Sequence, residues 1–134
     1  VIENEVNSIL NAMVNFTVKL ESTEDKYIIA NIVYNDNKFW PVELSSGMER
    51  FVLSLAFRTS LTEITSLPKA NFLTIDEGFG VLDNENLMSI GNLFNFLKKQ
   101  YDFLICVSHI EAMRDLVDSH IKIDKANGYS RIKL

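Results

Sequence analysis

The sequence is short of the features that mark several large protein classes. Its one cysteine, Cys106, lies inside the apolar run Phe103-Leu104-Ile105-Cys106-Val107. A lone thiol closes no intramolecular disulfide and builds no zinc site, as expected of a reducing cytoplasmic or nuclear compartment. In that run it reads as a small buried hydrophobe. No apolar run approaches the roughly 18 residues of a membrane span, and there is no signal-peptide pattern, so no membrane partner is expected. Positive charge is also scarce: 13 Lys and Arg against 18 Asp and Glu leave a net charge of −5. A protein that reads a nucleic-acid groove carries a basic stripe, and none is present. Lys98-Lys99, the one adjacent basic pair, reads as a helix C-terminus favoured by the dipole. Any DNA contact would therefore lie mostly elsewhere. Internal repeats and low-complexity segments are missing too.

What remains is 134 residues, 47% of them hydrophobic, enough to bury one core. Ile2, Val6, Ile9, Leu10 and Met13 recur at helical spacing, so residues 1–14 are expected to form an amphipathic helix. The chain starts without Met and inside that helix, as a piece of something longer would. Phe16, Val18 and Leu20 alternate with polar residues as in a half-buried strand, and Lys26–Tyr34 is a β-branched and aromatic strand. After the turn Asn35-Asp36-Asn37, Lys38–Val42 returns as a short strand that Pro41 places at an edge or an end. Ser45-Ser46-Gly47 is a loop ahead of a helix over Met48–Ile64. A buried strand is expected over Asn71–Asp76, a helix over Asn84–Lys99 with Leu87, Ile90, Phe94 and Leu97 on one face, and a strand over Asp102–Ser108. A short helix near Glu111–Val117 precedes a hairpin of His120–Asp124 and Tyr129–Lys133 around Asn127-Gly128. Alternating strand and helix over residues 71–124 predicts a parallel sheet flanked by helices, joined to antiparallel strands in one α/β unit.

Four places carry residues suited to chemistry. The uncharged run Phe72-Leu73-Thr74-Ile75 leads into Asp76-Glu77, where a parallel strand ends and ligands of open α/β sheets bind. Successive strand residues point to opposite sides, so one carboxylate can hold hydrated Mg²⁺ and the other can orient or deprotonate a water. The plain alternative is a solvated or helix-capping pair. Leu44-Ser45-Ser46-Gly47-Met48-Glu49-Arg50 opens the longest helix, and backbone N–H groups at a helix start suit a phosphate. Ordinary capping by Ser accounts for the same residues without a ligand. Ser108-His109 follows the strand over residues 102–107 and puts an imidazole on the same sheet edge as the two acids. His120 has no such setting and reads as incidental. In Gly78-Phe79-Gly80-Val81-Leu82-Asp83 the glycines allow a tight turn and Asp83 can cap the next helix.

In their order and spacing these elements resemble the C-terminal half of an ABC-type P-loop ATPase head, over about residues 40 to 124. Ser45-Ser46-Gly47 resembles the signature loop, Leu73–Glu77 the end of Walker B, Gly80–Asp83 the D-loop and Ser108-His109 the switch histidine. The wording Leu55-Ala56-Phe57-Arg58 and Ile75-Asp76-Glu77-Gly78-Phe79-Gly80 is most similar to SbcC-type ATPases, the SMC-like partners of a double-strand-break repair nuclease. Two departures stand out. There is no Gly-x-x-x-x-Gly-Lys-[Ser/Thr], the loop that cradles phosphates; in SMC-like heads it lies in the N-terminal half. Ser46 also stands where the first signature Gly is common, and either Met48 or Glu49 takes the last signature position.

The resemblance implies a division into residues 1–14, the end of a coiled coil, and residues 15–134, the C-terminal half of the head. It implies ATP and Mg²⁺ as cofactors. Asp76 would hold Mg²⁺ through water, Glu77 and His109 would be catalytic, and Ser45, Ser46, Gly47 and Glu49 would meet the nucleotide of an opposing head. Gly80, Leu82 and Asp83 would line the dimer seam. Implied partners are the Walker A half, a second head forming a homodimer, a DNA-repair nuclease subunit, and DNA through the assembled complex. Hydrolysis is expected only of the assembled head. A transporter-type or other SMC head, or a non-catalytic interaction module, would share much of the same pattern.

Overall fold

The computed structural model describes residues 1–35, 38–77 and 87–133, and side chains of its third helix from residue 90. Helix α1 (Ile2–Asn11) leads into an antiparallel sheet of β1 (Phe16–Ser22), β2 (Ile28–Tyr34) and β3 (Phe39–Pro41) in that spatial order. A 3₁₀ turn over Val42–Leu44 joins the sheet to α2 (Gly47–Ile64). Strand β4 (Phe72–Asp76) and β5 (Phe103–Val107) pair in parallel on either side of α3 (Leu87–Gln100) in sequence. A 3₁₀ stretch (Glu111–Leu116) precedes the β6–β7 hairpin, Lys122–Ala126 with Tyr129–Lys133. The mixed α/β architecture thus agrees with the sequence pattern. The final helix expected near residues 111–117 is a 3₁₀ stretch.

Strand starts moved where local chemistry favours a turn. Lys26, expected inside a strand, sits at φ 65° in the turn before β2. The Thr23 hydroxyl accepts from the Tyr27 N–H and the Lys26 N–H donates to the Thr23 carbonyl, closing the loop before pairing begins. Pro41 ends β3 on the sheet's edge, as a residue without an N–H must. Asn127 and Gly128 both have positive φ, 53° and 81°, so the expected hairpin closes through a type I′ turn between Ala126 and Tyr129. Asp36 and Asn37, and the start expected for α3 at Asn84, lie outside the described residues.

One core unites α1, β1, β2, α2 and α3. Val6, Leu10, Ile32, Val52, Ile90, Leu93 and Leu97 are fully buried, and Phe94 nearly so. The apolar face of α1 is therefore committed within this chain. The free edge of β1 is sealed by the same helix. In an antiparallel pair alternate residues direct their N–H and C=O groups away from the partner, and at Val18 and Leu20 side chains of α1 meet them. Asn7 Nδ2 donates to the Val18 carbonyl (2.8 Å) and Asn7 Oδ1 accepts from the Val18 N–H (2.7 Å). Glu3 Oε2 accepts from the Leu20 N–H at 2.7 Å. Asn7 thus imitates a neighbouring strand and leaves no open edge there.

Strand β3 and the β6–β7 hairpin are largely exposed, and the parallel pair is covered on one face only. Leu73, Leu104 and Cys106 pack against the core and Ile75 is buried within it. On the opposite face Phe72, Phe103, Ile105 and Val107 are half or more exposed, Phe103 by 66%. The expected buried strand at residues 71–76 is thus covered on one face only. Cys106 is half-buried, and desolvation pushes its thiol up to about 11.

Replacing Asn7 with Ala removes both bonds to Val18 and strands two backbone groups. A loss of about 2 kcal/mol in the stability of the intact protein is expected, read from denaturant unfolding. Glu3→Gln keeps an acceptor for Leu20 and should stay within about 0.5 kcal/mol of the parent. Equal losses in the two variants would contradict the edge-sealing role of Asn7.

Candidate functional site

The structure sorts the candidate residues into two clusters. The first lies at the C-terminal end of the parallel pair. Asp76 is the last residue of β4 and stands opposite Val107 of β5. The Glu77 N–H donates to the Val107 carbonyl at 2.9 Å, carrying the pairing one residue beyond the strand. Glu77 then turns away with φ 56°. That left-handed conformation disfavours a residue with a Cβ, and strain of this kind concentrates at functional sites. Two residues past β5, His109 places Nδ1 4.0 Å from Glu77 Oε1, with the two side chains 77% and 72% exposed. Ser108 Oγ accepts from the Ile110 N–H (3.1 Å) and fixes the backbone that presents His109. Two strand ends in register thus bring together an acid pair and an imidazole that lie more than 30 residues apart in sequence. Such exposed groups have little to bind until something covers them.

The second cluster is the start of α2. Ser46, not Ser45, is the N-cap: its hydroxyl accepts from the Glu49 N–H (3.2 Å), and Glu49 Oε2 accepts from the Ser46 N–H (2.7 Å). This reciprocal capping box fixes the loop that enters the helix. The Ser45 hydroxyl turns back to the Val42 carbonyl at 2.6 Å, closing the 3₁₀ turn. Gly47 is the first helical residue and Met48 is buried in the core. The carboxylate of Glu49 is occupied on both oxygens, because its Oε1 accepts from the Tyr34 hydroxyl at 2.5 Å. Sequence reasoning missed Tyr34. Fifteen residues separate the pair, and no periodicity links a strand end to a helix start.

Burial would raise the Glu49 pKa, but the hydrogen bonds from Tyr34 and Ser46 outweigh it and hold the carboxyl below its usual range. The bond to Glu49, then burial, pushes the Tyr34 phenol up to about 12. Because Tyr34 holds its proton more tightly when folded, its contribution is complete below pH 10 and disappears as pH rises toward 12. The Glu49 contribution is complete above its ordinary pKa of 4.5 and is lost as pH falls below that value. Between these limits the contact does not respond to pH.

Gly80, Leu82 and Asp83, expected at a dimer seam, lie outside the described residues, as do Gly78 and Phe79. Among the described residues no group of three or more His, Cys, Asp or Glu side chains could hold a metal ion, and no helix is long and apolar enough to cross a membrane. Asp76 is an exposed carboxylate at a strand end. That suits Mg²⁺, which is held by one or two carboxylates together with waters and phosphate oxygens.

The strain at Glu77 has a measurable consequence. Glu77→Gly should raise the stability of the intact protein by about 1 kcal/mol relative to Glu77→Ala, since only Gly relieves the positive φ. Equal stability of the two variants in thermal unfolding would contradict the strained geometry.

No protein-family model matches the chain. It is 41% identical over 146 residues to the uncharacterized protein R555 of Acanthamoeba polyphaga mimivirus, a match covering 98% of this chain and 11% of that protein. It is 30% identical over 117 residues to the DNA double-strand break repair Rad50 ATPase of Thermococcus kodakarensis, covering 87% of this chain and 13% of the relative. Against the SbcC component of the nuclease SbcCD from Pseudomonas aeruginosa the identity is 32% over 91 residues, covering 66% of this chain and 8% of the relative. The chain thus spans only 8% to 13% of the length of these relatives. Among solved structures, an SMC ATPase studied for ATP-driven dimerization and DNA-stimulated activation superposes with a TM-score of 0.80 at 18% identity, over 98% of this chain and 81% of that one. The SMC head domain from Thermotoga maritima gives 0.70 at 22% identity, over 98% and 46%. At such identities these structures speak to the fold alone. With SbcC and Rad50 sequence similarity running over most of its length and an SMC-head fold beneath it, the chain belongs to the SMC-like ABC-type ATPase heads of the SbcC/Rad50 kind, as a C-terminal head portion.

Proposed function

We propose that this chain supplies the Walker B, switch-histidine and signature-loop half of an ATPase head whose hydrolysis of ATP drives head dimerisation in a DNA double-strand-break repair complex. The observation that carries the reading is the strained Glu77 at the end of the parallel pair, beside Asp76 and 4.0 Å from His109. An exposed acid held in an unfavourable backbone conformation contributes nothing evident to the fold. The C-terminal edge of a parallel sheet is where open α/β folds bind ligands, which supports a nucleotide there. The names of the relatives, a Rad50 repair ATPase and a component of the SbcCD nuclease, support the same class of function.

The placement of these residues supports a division of labour. Asp76 would hold Mg²⁺ through water, and the ion would supply charge neutralisation at the phosphates. Glu77 accepts a hydrogen bond from the attacking water and orients it in line with the γ-phosphate. His109, on the neighbouring strand end, donates to a γ-phosphate oxygen. Ser46 and Gly47, at the start of α2, meet the γ-phosphate held by a second head, where first-turn N–H groups and the dipole favour an anion. Ser45 shapes the turn before them. Glu49, with both oxygens engaged inside the chain, positions this loop. Gly80, Leu82 and Asp83 form the seam between heads. The Walker A half of the head covers the bare face of β4 and β5, since parallel strands are ordinarily buried on both faces. The second head is another copy, α1 continues into a coiled coil, a nuclease partner docks on the assembly, and DNA is met by the whole complex inside the cell.

The test is Glu77→Gln in the full-length protein. It should retain ATP binding, cut turnover by about a hundredfold or more, the scale of a general base, and accumulate ATP-bound dimers in size-exclusion chromatography. Turnover near the parent rate would remove Glu77 from the chemistry and favour a non-catalytic interaction module.

A further inference from the structure

We propose that Tyr34 is a positioning residue for the signature loop, restraining Glu49 so that the N-terminus of α2 stays open to the opposing head's phosphate. The inference rests on the ATPase reading above and names a residue outside its motifs.

Three observations converge on Tyr34. Its ring belongs to the sheet: it stands opposite Phe16 in the β1–β2 register, with ring centroids 6.3 Å apart and planes tilted by 58°. Its N–H donates to the Lys38 carbonyl at 2.9 Å, so the backbone is fixed as well. Its hydroxyl donates to Glu49 Oε1 at 2.5 Å, while the other carboxylate oxygen accepts from the Ser46 N–H at 2.7 Å. One carboxylate therefore bridges a rigid sheet and a helix-opening loop. The sheet is anchored in turn, because Asn7 and Glu3 of α1 hold the far edge of β1.

Electrostatics make the restraint consequential. A helix start attracts any anion, including a carboxylate of its own first turn. Glu49 is the third residue of α2, so a carboxylate released from Tyr34 can move over the N–H groups of Gly47 and Met48. There it would compete with the incoming γ-phosphate by like charge and by occupying its donors. With Tyr34 in place, Glu49 faces the sheet and Ser46 Oγ, which accepts from the Glu49 N–H, keeps its own proton to donate outward. Tyr34 thus acts through Glu49 and touches no substrate.

The experiment is a double-mutant cycle in the full-length protein, with turnover scaled to the folded fraction. Tyr34→Phe keeps the ring against Phe16 and removes only the hydroxyl. It should lower kcat and ATP-driven dimerisation by about tenfold, the size of one hydrogen bond to a charged group, and leave ATP affinity of separate heads unchanged. In a Glu49→Gln background, where no charge remains to compete, adding Tyr34→Phe should change kcat less than about twofold. Parent-like kcat in Tyr34→Phe overturns the proposal. So does an equal fall in the Glu49→Gln background, which would mark a general packing role. If Ser46→Ala also leaves dimerisation unchanged and Glu77→Gln still turns over ATP, the ATPase reading itself fails.

Discussion

Parallel strands need cover on both faces, and β4 and β5 receive it on only one. Leu73, Ile75, Leu104 and Cys106 join the core, whereas Phe72, Phe103, Ile105 and Val107 stand open. The candidate acids share this incompleteness. Asp76 and Glu77 leave the end of a half-covered pair, and His109 leaves the end of its neighbour. A second lobe laid on the bare face would bury the exposed half of four large side chains, each contributing about 1 kcal/mol. It would also turn an exposed row of groups into the wall of a cleft. Fold completion and site completion would then be one event.

The other half of the molecule is built for rigidity. Asn7 seals an edge strand, Phe16 and Tyr34 pair across β1 and β2, and Glu49 ties that sheet to the start of α2. Each link is a contact with a defined geometry, set on a core of fully buried aliphatic side chains. The order matters for mechanism. If the loop meets a phosphate carried by a second head, as proposed, it gains from being held before the partner arrives, since ordering it on contact would cost affinity.

Much of the fold was legible because its signals are local. Helix α2 begins within one residue of the expected start because Ser46 and Glu49 form a capping box in sequence. Asn127-Gly128 announced the hairpin because few other residues accept positive φ twice in succession. The site was legible as residues but not as contacts. Ser45 and Ser46 are equal on paper; only the 3₁₀ turn, which takes the Ser45 hydroxyl, decides between them. Asn7 inside an amphipathic helix reads as a solvent-facing residue until the edge of β1 is beside it. Tyr34 and Glu49 meet across the sheet–helix junction, and no pattern in the chain encodes that. The apolar run before Asp76 predicted a buried strand because hydrophobicity reports what a strand is built to bury, not which cover is present.

The central claim is that this chain is half of a nucleotide site, completed by a Walker A half and a second head. Steady-state ATP turnover of the purified chain, with and without the remainder of the head, tests it most directly. The account predicts no turnover above background from the 134-residue chain alone and Mg²⁺-dependent turnover, rising with the square of head concentration at low concentration, once both halves are joined. Turnover by the isolated chain, or none from the joined head, would contradict it.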